Sequence, residues 1–277
     1  MHILNGAQGT LNPNHLTLLM HKILNIVLPI AGRGSRFAQA GYALPKPLLP
    51  VHGIPMIEVV VNNVRPRQPH RFTFVALQEH LEHQDMRQTL QRIAPGCEIV
   101  LVSQVTEGAA CTVLLAKHLI NNENPLMLAN SDQWVDIDIN NYLAEMERQA
   151  VDGLIMTMWA DHPKWSYVGF DHTGCVSRIV EKQVISNEAT VGIYNYRHGR
   201  DFVRAAEQMI SKNLRVNNEF YVAPSYNEML AWGAKLAIHN VGKERAGMYG
   251  LGTPSDLKWF VENPVSHTAV YVRPTRA

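Results

Sequence analysis

The chain has 277 residues, 46% hydrophobic and 18% charged, a globular balance that suits one large α/β domain or two small ones. Its formal net charge is +1, from 25 basic and 24 acidic side chains, which lacks the basic excess of proteins that grip nucleic acid backbone. No apolar run approaches the roughly 20 residues of a bilayer span, and three widely spaced cysteines exclude a disulfide framework or a CxxC zinc site.

In chain order, residues 1–19 lack the positive start and apolar core of a signal peptide. They read as an extension, disordered or foreign to a native start at Met20. Residues 26–30 predict a strand, followed by a Gly-rich turn and a helix carrying Ile54, Ile57, Val60, Val61 and Val64. A strand over 72–77, a helix over 83–93, a strand over 98–102 and a helix over 107–119 come next. A strand over 126–130 then ends at Ser131-Asp132. Strands and helices alternating at this spacing imply right-handed βαβ units.

After a helix over 139–149 the pattern loosens into short strands over 154–159, 167–170, 176–181 and 190–196. Helices over 199–211 and 224–232, a strand over 236–241 and a helix from Thr253-Pro254-Ser255 follow. The residues after Pro264 carry no period. Cys97, Cys111 and Cys175 read as buried free thiols in a reducing, cytoplasmic compartment.

The chemistry concentrates first in Ala31-Gly32-Arg33-Gly34-Ser35-Arg36-Phe37, followed by Pro45-Lys46-Pro47. After a strand, the two glycines let backbone amides approach a phosphate chain and allow positive φ. Arg36 supplies forked contacts to phosphate oxygens and Lys46 a compact charge. The stretch is not a P-loop, and Phe37 stands where a dinucleotide fingerprint has its third glycine.

With these motifs the chain resembles the sugar-1-phosphate nucleotidyltransferase family, whose signature is Gly-x-Gly-(Thr/Ser)-Arg-(Leu/Phe) followed by Pro-Lys. The resemblance covers about residues 23–257. It implies a nucleotidyltransferase that joins a nucleoside monophosphate from an NTP to a sugar-1-phosphate or similar small phosphomonoester, releasing pyrophosphate with Mg²⁺. The expected fold is α/β, a Rossmann-like three-layer sandwich with a mixed, mainly parallel central sheet and a small β extension on the acceptor side. Residues 20–263 would form this domain and 264–277 a tail. Ala31, Gly32, Gly34, Ser35 and Arg36 would hold the nucleotide, with Arg36 stabilising pyrophosphate and Lys46 bridging the α-phosphate and the acceptor phosphate.

The aspartate matching Asp132 coordinates Mg²⁺ in that family, and a carboxylate at a strand's carboxyl end suits a hard cation; a turn residue is the plainer alternative. Gln104 and Gly108 are candidate base contacts, with a surface Gln before a Gly turn equally open. Glu181-Lys182 and Thr190-x-Gly192 resemble the motifs that hold the acceptor. The cluster Asn217-Asn218-Glu219-Phe220-Tyr221 either shapes the acceptor pocket, through Asn218 or Glu219, or is an ordered packed loop.

Two features depart from this pattern. Gly250 stands where the family often has a second metal aspartate, before Gly252-Thr253-Pro254. Asp136-x-Asp138 is shaped like a glycosyltransferase metal motif, although Asp138 suits a helix N-cap better. A glycosyltransferase using that pair and a non-catalytic nucleotide-binding subunit are therefore the competing functions. The resemblance loosely implies NDP-sugar biosynthesis for capsule or surface polysaccharide. It calls for no nucleic acid or membrane partner and allows a homo-oligomer.

Overall fold

A computed structural model of the chain describes residues 22–82 and 84–271. The expectations for residues 1–19, for His83 at a helix start and for the tail beyond Tyr271 lie outside the described residues.

The N-terminal half comprises β1 (Leu24–Ile30), α1 (Ser35–Gln39), β2 (Pro50–Val51), β3 (Ile54–Pro55), α2 (Met56–Val64), β4 (His70–Leu77), α3 (Gln78–Leu81), α4 (Gln84–Ile93), β5 (Glu98–Val102), α5 (Ala109–Leu114), α6 (Lys117–Ile120) and β6 (Leu126–Ala129). There follow β7 (Gln133–Val135), α7 (Ile139–Gln149), β8 (Gly153–Trp159), β9 (Ser166–Phe170), β10 (Val176–Glu181) and β11 (Glu188–Tyr196). The chain closes with α8 (Gly199–Ser211), α9 (Tyr226–Ala231), β12 (Leu236–Glu244), β13 (Gly247–Gly250), α10 (Pro254–Glu262) and α11 (Val265–Val270).

The main sheet has the order β5-β4-β1-β6-β11-β8-β12-β13-β7. Five of its eight junctions are parallel, namely β5–β4, β4–β1, β1–β6, β8–β12 and β12–β13. The antiparallel β9–β10 hairpin leaves the sheet beside β11, through Ala189 opposite Tyr167, and is the expected β extension.

Two-residue periodicity divides the core. Leu24, Ile26, Leu28 and Ile30 of β1 pack on one face with Val60 and Val64 of α2, Met86 and Leu90 of α4 and Tyr142 of α7. Val27 and Ala31 face the other side, with Val113, Ile120, Phe202 of α8 and Tyr226 of α9. The result is a three-layer α/β sandwich.

Three local differences from the sequence pattern have physical causes. The helix expected over 107–119 is two short helices, because the chain tightens where Leu115 N bonds Thr112 O and Ala116 N bonds Val113 O, both i→i−3 pairs. Strands β7 and β13 are too short to show a period; β13 adds to β12, and β7 pairs on it with Trp134 opposite Tyr249. The aperiodic residues after Pro264 form α11, with Ser266 fully buried. The cysteines are less buried than expected: Cys97 and Cys111 are half-buried and Cys175 is exposed.

The helix caps fall where sequence places them. Asp138 accepts from Asn140 N at 2.9 Å, and Thr253 Oγ1 accepts from Asp256 N at 3.1 Å with Pro254 next in line. Thr253→Ala should therefore destabilise the protein by about 1 kcal/mol, lowering the calorimetric Tm by roughly 2–4 °C for a chain of this size. An unchanged Tm would show that the cap contributes nothing.

Candidate functional site

The site begins where the parallel ladder between β1 and β6 stops. That ladder runs only from Asn25–Leu126 to Val27–Leu128, whereas β1 stays paired with β4 to Ile30. Pro29, which has no N–H to donate, stands beyond the last β6 partner. Between the separated strand ends lies a cavity of about 330 Å³. It opens at the carboxyl edge of the sheet, where α/β folds place ligands.

Gly34 caps α1 at φ 61, and its bare Cα lets Lys46 pack against it: an added Cβ would lie 3.1 Å from Lys46 Cβ. Lys46, between Pro45 and Pro47, crosses to Asp132, Nζ donating to Oδ2 at 2.5 Å. Their side chains are 17% and 26% exposed, so the pair is partly shielded rather than a screened surface contact. Asp132 is also held from below, its carbonyl accepting from Leu251 N at 2.7 Å. A Cβ on Gly252 would come within 2.8 Å of Asp132 Oδ2, so the bare glycine leaves the carboxylate its room beside Lys46.

Gly250 leaves the neighbouring position without a carboxylate. Asp256 is nearest, about 3.9 Å from where a Cβ would stand, and it is engaged in the α10 cap with Thr253 Oγ1. Among the described residues there is no group of three or more His, Cys, Asp or Glu side chains arranged for a metal.

A second cavity of about 310 Å³ adjoins the first and shares Ala109 and Asn130 with it. Its wall includes Arg36, Trp165, Ser166, Glu181, Thr190 and Tyr221. Glu181 is buried, and Ser166 Oγ donates to its Oε2. Burial pushes its pKa above the usual carboxylate range, with Ser166 and Lys182 acting against the shift and Glu219 adding to it. Lys182, held at φ 56, donates to Tyr221 Oη at 2.7 Å, and this bond raises its pKa. Thr190 Oγ1 lies 3.0 Å from Tyr194 Oη.

The segment from Val216 to Tyr221 forms a shared wall. Phe220 N donates to Glu107 O at 2.8 Å and Ala110 N to Phe220 O at 3.0 Å. Arg215 reinforces this clasp, 2.7 Å from Glu107 and 4.4 Å over the Phe220 ring. A Cβ on Gly108 would strike the Phe220 backbone, so the two loops close only on glycine. With Phe220 buried, Glu219 lines the first cavity and Tyr221 the second.

The structure thus gathers Ala31, Gly32, Gly34, Lys46, Gly108, Asp132 and Glu219 around the first cavity. Arg36, Glu181, Thr190 and Gly192 line the second, with Lys182 joined through Tyr221. Arg36 lines the second cavity and not the first, which holds Lys46, whereas Glu219 lines the first and not the second. Gln104 and Ser35 are exposed and line neither cavity; Val105 and Thr106 occupy the wall next to Gln104. Asn218, at φ 64, also lies outside both. Asp136 is exposed, and Asp138 is occupied by Asn140 and by Arg67 at 2.9 Å, away from both cavities.

The sequence pattern did not point to Asn130, Thr106, Trp165 or Ser166. Asn130 was discoverable, since it closes the strand leading to Asp132. Trp165 and Ser166 carried no signal, because only the β9–β10 hairpin brings them to the site.

The nucleotidyl transferase family matches residues 25–221. The bifunctional protein GlmU of Methanococcus aeolicus is 23% identical over 179 residues, covering 63% of this chain and 40% of that protein. The same protein from Burkholderia thailandensis is 28% identical over 163 residues, covering 58% and 34%. The chain therefore spans well under half the length of these curated relatives. The crystal structure of a nucleoside-diphosphate-sugar pyrophosphorylase from Vibrio cholerae RC9 superposes with a TM-score of 0.72 at 25% identity, covering 86% of this chain and all of that one.

Glu181→Gln tests the electrostatics of the second cavity. A carboxyl whose folded-state pKa is raised adds stability at low pH and loses it as pH rises through that pKa. The glutamine variant should therefore melt higher than the parent at pH 7, and the difference should vanish as pH falls below about 4, the ordinary glutamate range. A pH-independent difference would refute the assignment.

Proposed function

The chain belongs to the nucleotidyl transferase family of enzymes, and we propose that it transfers a nucleoside monophosphate from an NTP to a sugar-1-phosphate or similar small phosphomonoester, releasing pyrophosphate. The observation that carries this reading is the pair of adjoining cavities. One is built from the Gly32–Gly34 turn, Lys46 and Asp132, the other from Glu181, Thr190 and Arg36, and they meet at one point. A two-substrate transfer requires that arrangement: two anionic ligands held with their reacting atoms at a common boundary.

In the proposed step an acceptor phosphate oxygen attacks the α-phosphorus of the NTP in line. The new P–O bond forms as the bond to the β-phosphate oxygen breaks, and pyrophosphate leaves with its electron pair. The nucleophile is already anionic, so no general base is needed. Lys46 neutralises the α-phosphate and acceptor phosphate, and Arg36, which lines the second cavity alone, neutralises charge on the acceptor phosphate there. Glu181 and Thr190 receive acceptor hydroxyls, Glu181 as a buried carboxylate whose lone pairs accept hydrogen bonds. Gly108, Thr106 and Val105 form the wall nearest the base.

The residues fit a Mg²⁺ brought in with the nucleotide. Asp132 offers one carboxylate, Oδ2 engaged by Lys46 and Oδ1 without a hydrogen-bond partner among the described residues. Mg²⁺ binds through one or two carboxylates while keeping waters and phosphate oxygens, so Gly250 does not remove the site. When bound, the ion supplies charge neutralisation to the phosphoryl oxygens.

Among the described residues no helix is long and apolar enough to cross a membrane. We place the enzyme in the cytoplasm, where NTPs are plentiful, and its product in the supply of activated sugars for surface polysaccharide. Gly250 is the feature that favours a non-catalytic nucleotide-binding role instead.

Pyrophosphate release, screened with four NTPs against a panel of phosphomonoesters, should require one NTP and one acceptor together. NTP binding with no release across the panel would favour the non-catalytic role, and no NTP binding would refute the reading. Lys46→Ala and Asp132→Asn should each lower kcat/KM by about 10²–10³, as loss of a preorganised charge contact does, with little change in Tm. A Lys46→Ala protein with full turnover would remove Lys46 from the mechanism.

A further inference from the structure

Asn130 stands at the boundary of the two cavities with its side chain uncommitted. Its backbone N–H donates to Gly192 O at 2.9 Å, which fixes its Cα at the end of β6. Its amide is exposed and has no hydrogen-bond partner among the described residues. The two cavities share Asn130 and Ala109, and the latter ends in a methyl, so Asn130 offers the polar side chain common to both walls.

The surroundings preserve room for that amide. Gly192 sits at φ 84, in the stretch where β11 slips register against β8 between Thr190 and Tyr194. A Cβ on Gly192 would overlap the Asn130 amide and lie 2.9 Å from Gln133 Oε1. Gln133 is buried and packs on the same bare glycine. The irregular strand therefore clears the space in which the Asn130 side chain stands.

We propose that Asn130 is the contact that registers the two substrates against each other, its amide donating one N–H to the nucleotide's phosphate chain and the other to the acceptor phosphate. This rests on the transfer reaction proposed above and adds a residue to it. A carboxamide suits the position because it has two fixed donors and no charge. Lys46 and Arg36 on either side supply the charge; a neutral fork supplies direction, holding two phosphates within attacking distance.

The test uses binding alone, so it does not depend on knowing base or sugar. Tripolyphosphate stands for the nucleotide's phosphate chain and inorganic phosphate for the acceptor, each titrated by calorimetry or ³¹P NMR into the intact chain. Asn130→Ala should weaken both probes by about three- to tenfold each, the size of one hydrogen bond. Asn130→Asp, isosteric but anionic, should weaken both by more than the alanine variant does. An exposed side chain leaves folding intact, which Tm confirms. If the parent protein binds both probes and Asn130→Ala weakens only one or neither, the bridging role is overturned while the transfer reaction stands. If the parent protein binds neither probe, the transfer reaction falls and this role falls with it.

Discussion

Strands β1 and β6 pair in parallel for three residues and then part, and the cavity between their ends is what the other features of the site are arranged around. A sheet that stayed paired would bury its carboxyl edge in main-chain hydrogen bonds. Because β1 remains tied to β4 while β6 is drawn to the antiparallel β11, the two edges are held apart by ladders on their outer sides. The opening is thus braced on both sides without being closed. The Gly-rich turn leaves from one lip and Asp132 from the other.

The Lys46–Asp132 pair spans that opening at 2.5 Å and is partly shielded from solvent. A pair in this position contributes less to stability than its short distance suggests, since desolvation offsets much of the attraction. Its larger effect is positional: each charge holds the other at the cavity wall. Gly34 and Gly252 make the approach feasible, one under the lysine stem and one beside the carboxylate. Glycine is thus used where backbones and charged groups must come closer than a β-carbon permits.

The second cavity is made by elements far apart in sequence. The β9–β10 hairpin supplies Ser166 and Glu181, β11 supplies Thr190, and the segment ending at Tyr221 closes the side. That segment is fastened to the loop before α5 by two main-chain hydrogen bonds and the Arg215–Glu107 pair. Binding in either cavity therefore meets one continuous wall, with Glu219 on one side and Tyr221 on the other.

The sequence by itself determined the α/β class, the first strands, the caps at Asp138 and Thr253, and the motif from Ala31 to Lys46. All of these depend on neighbours within a few residues: alternation, helical period, a capping side chain, glycines beside a strand. Tertiary structure decided the rest. Strand β7 exists only through its pairing with β13, which itself joins the sheet beside β12, α5 and α6 separate through a local tightening, and α11 forms where no period announced it. It also placed Arg36 on the wall of the second cavity and Glu219 on that of the first, left Gln104 and Asn218 outside both, and set Asn130 between the cavities. The direction of a side chain depends on which distant backbone packs against its own, as Phe220 does on Gly108 and Gly192 on Asn130. No spacing within one stretch of sequence encodes that contact.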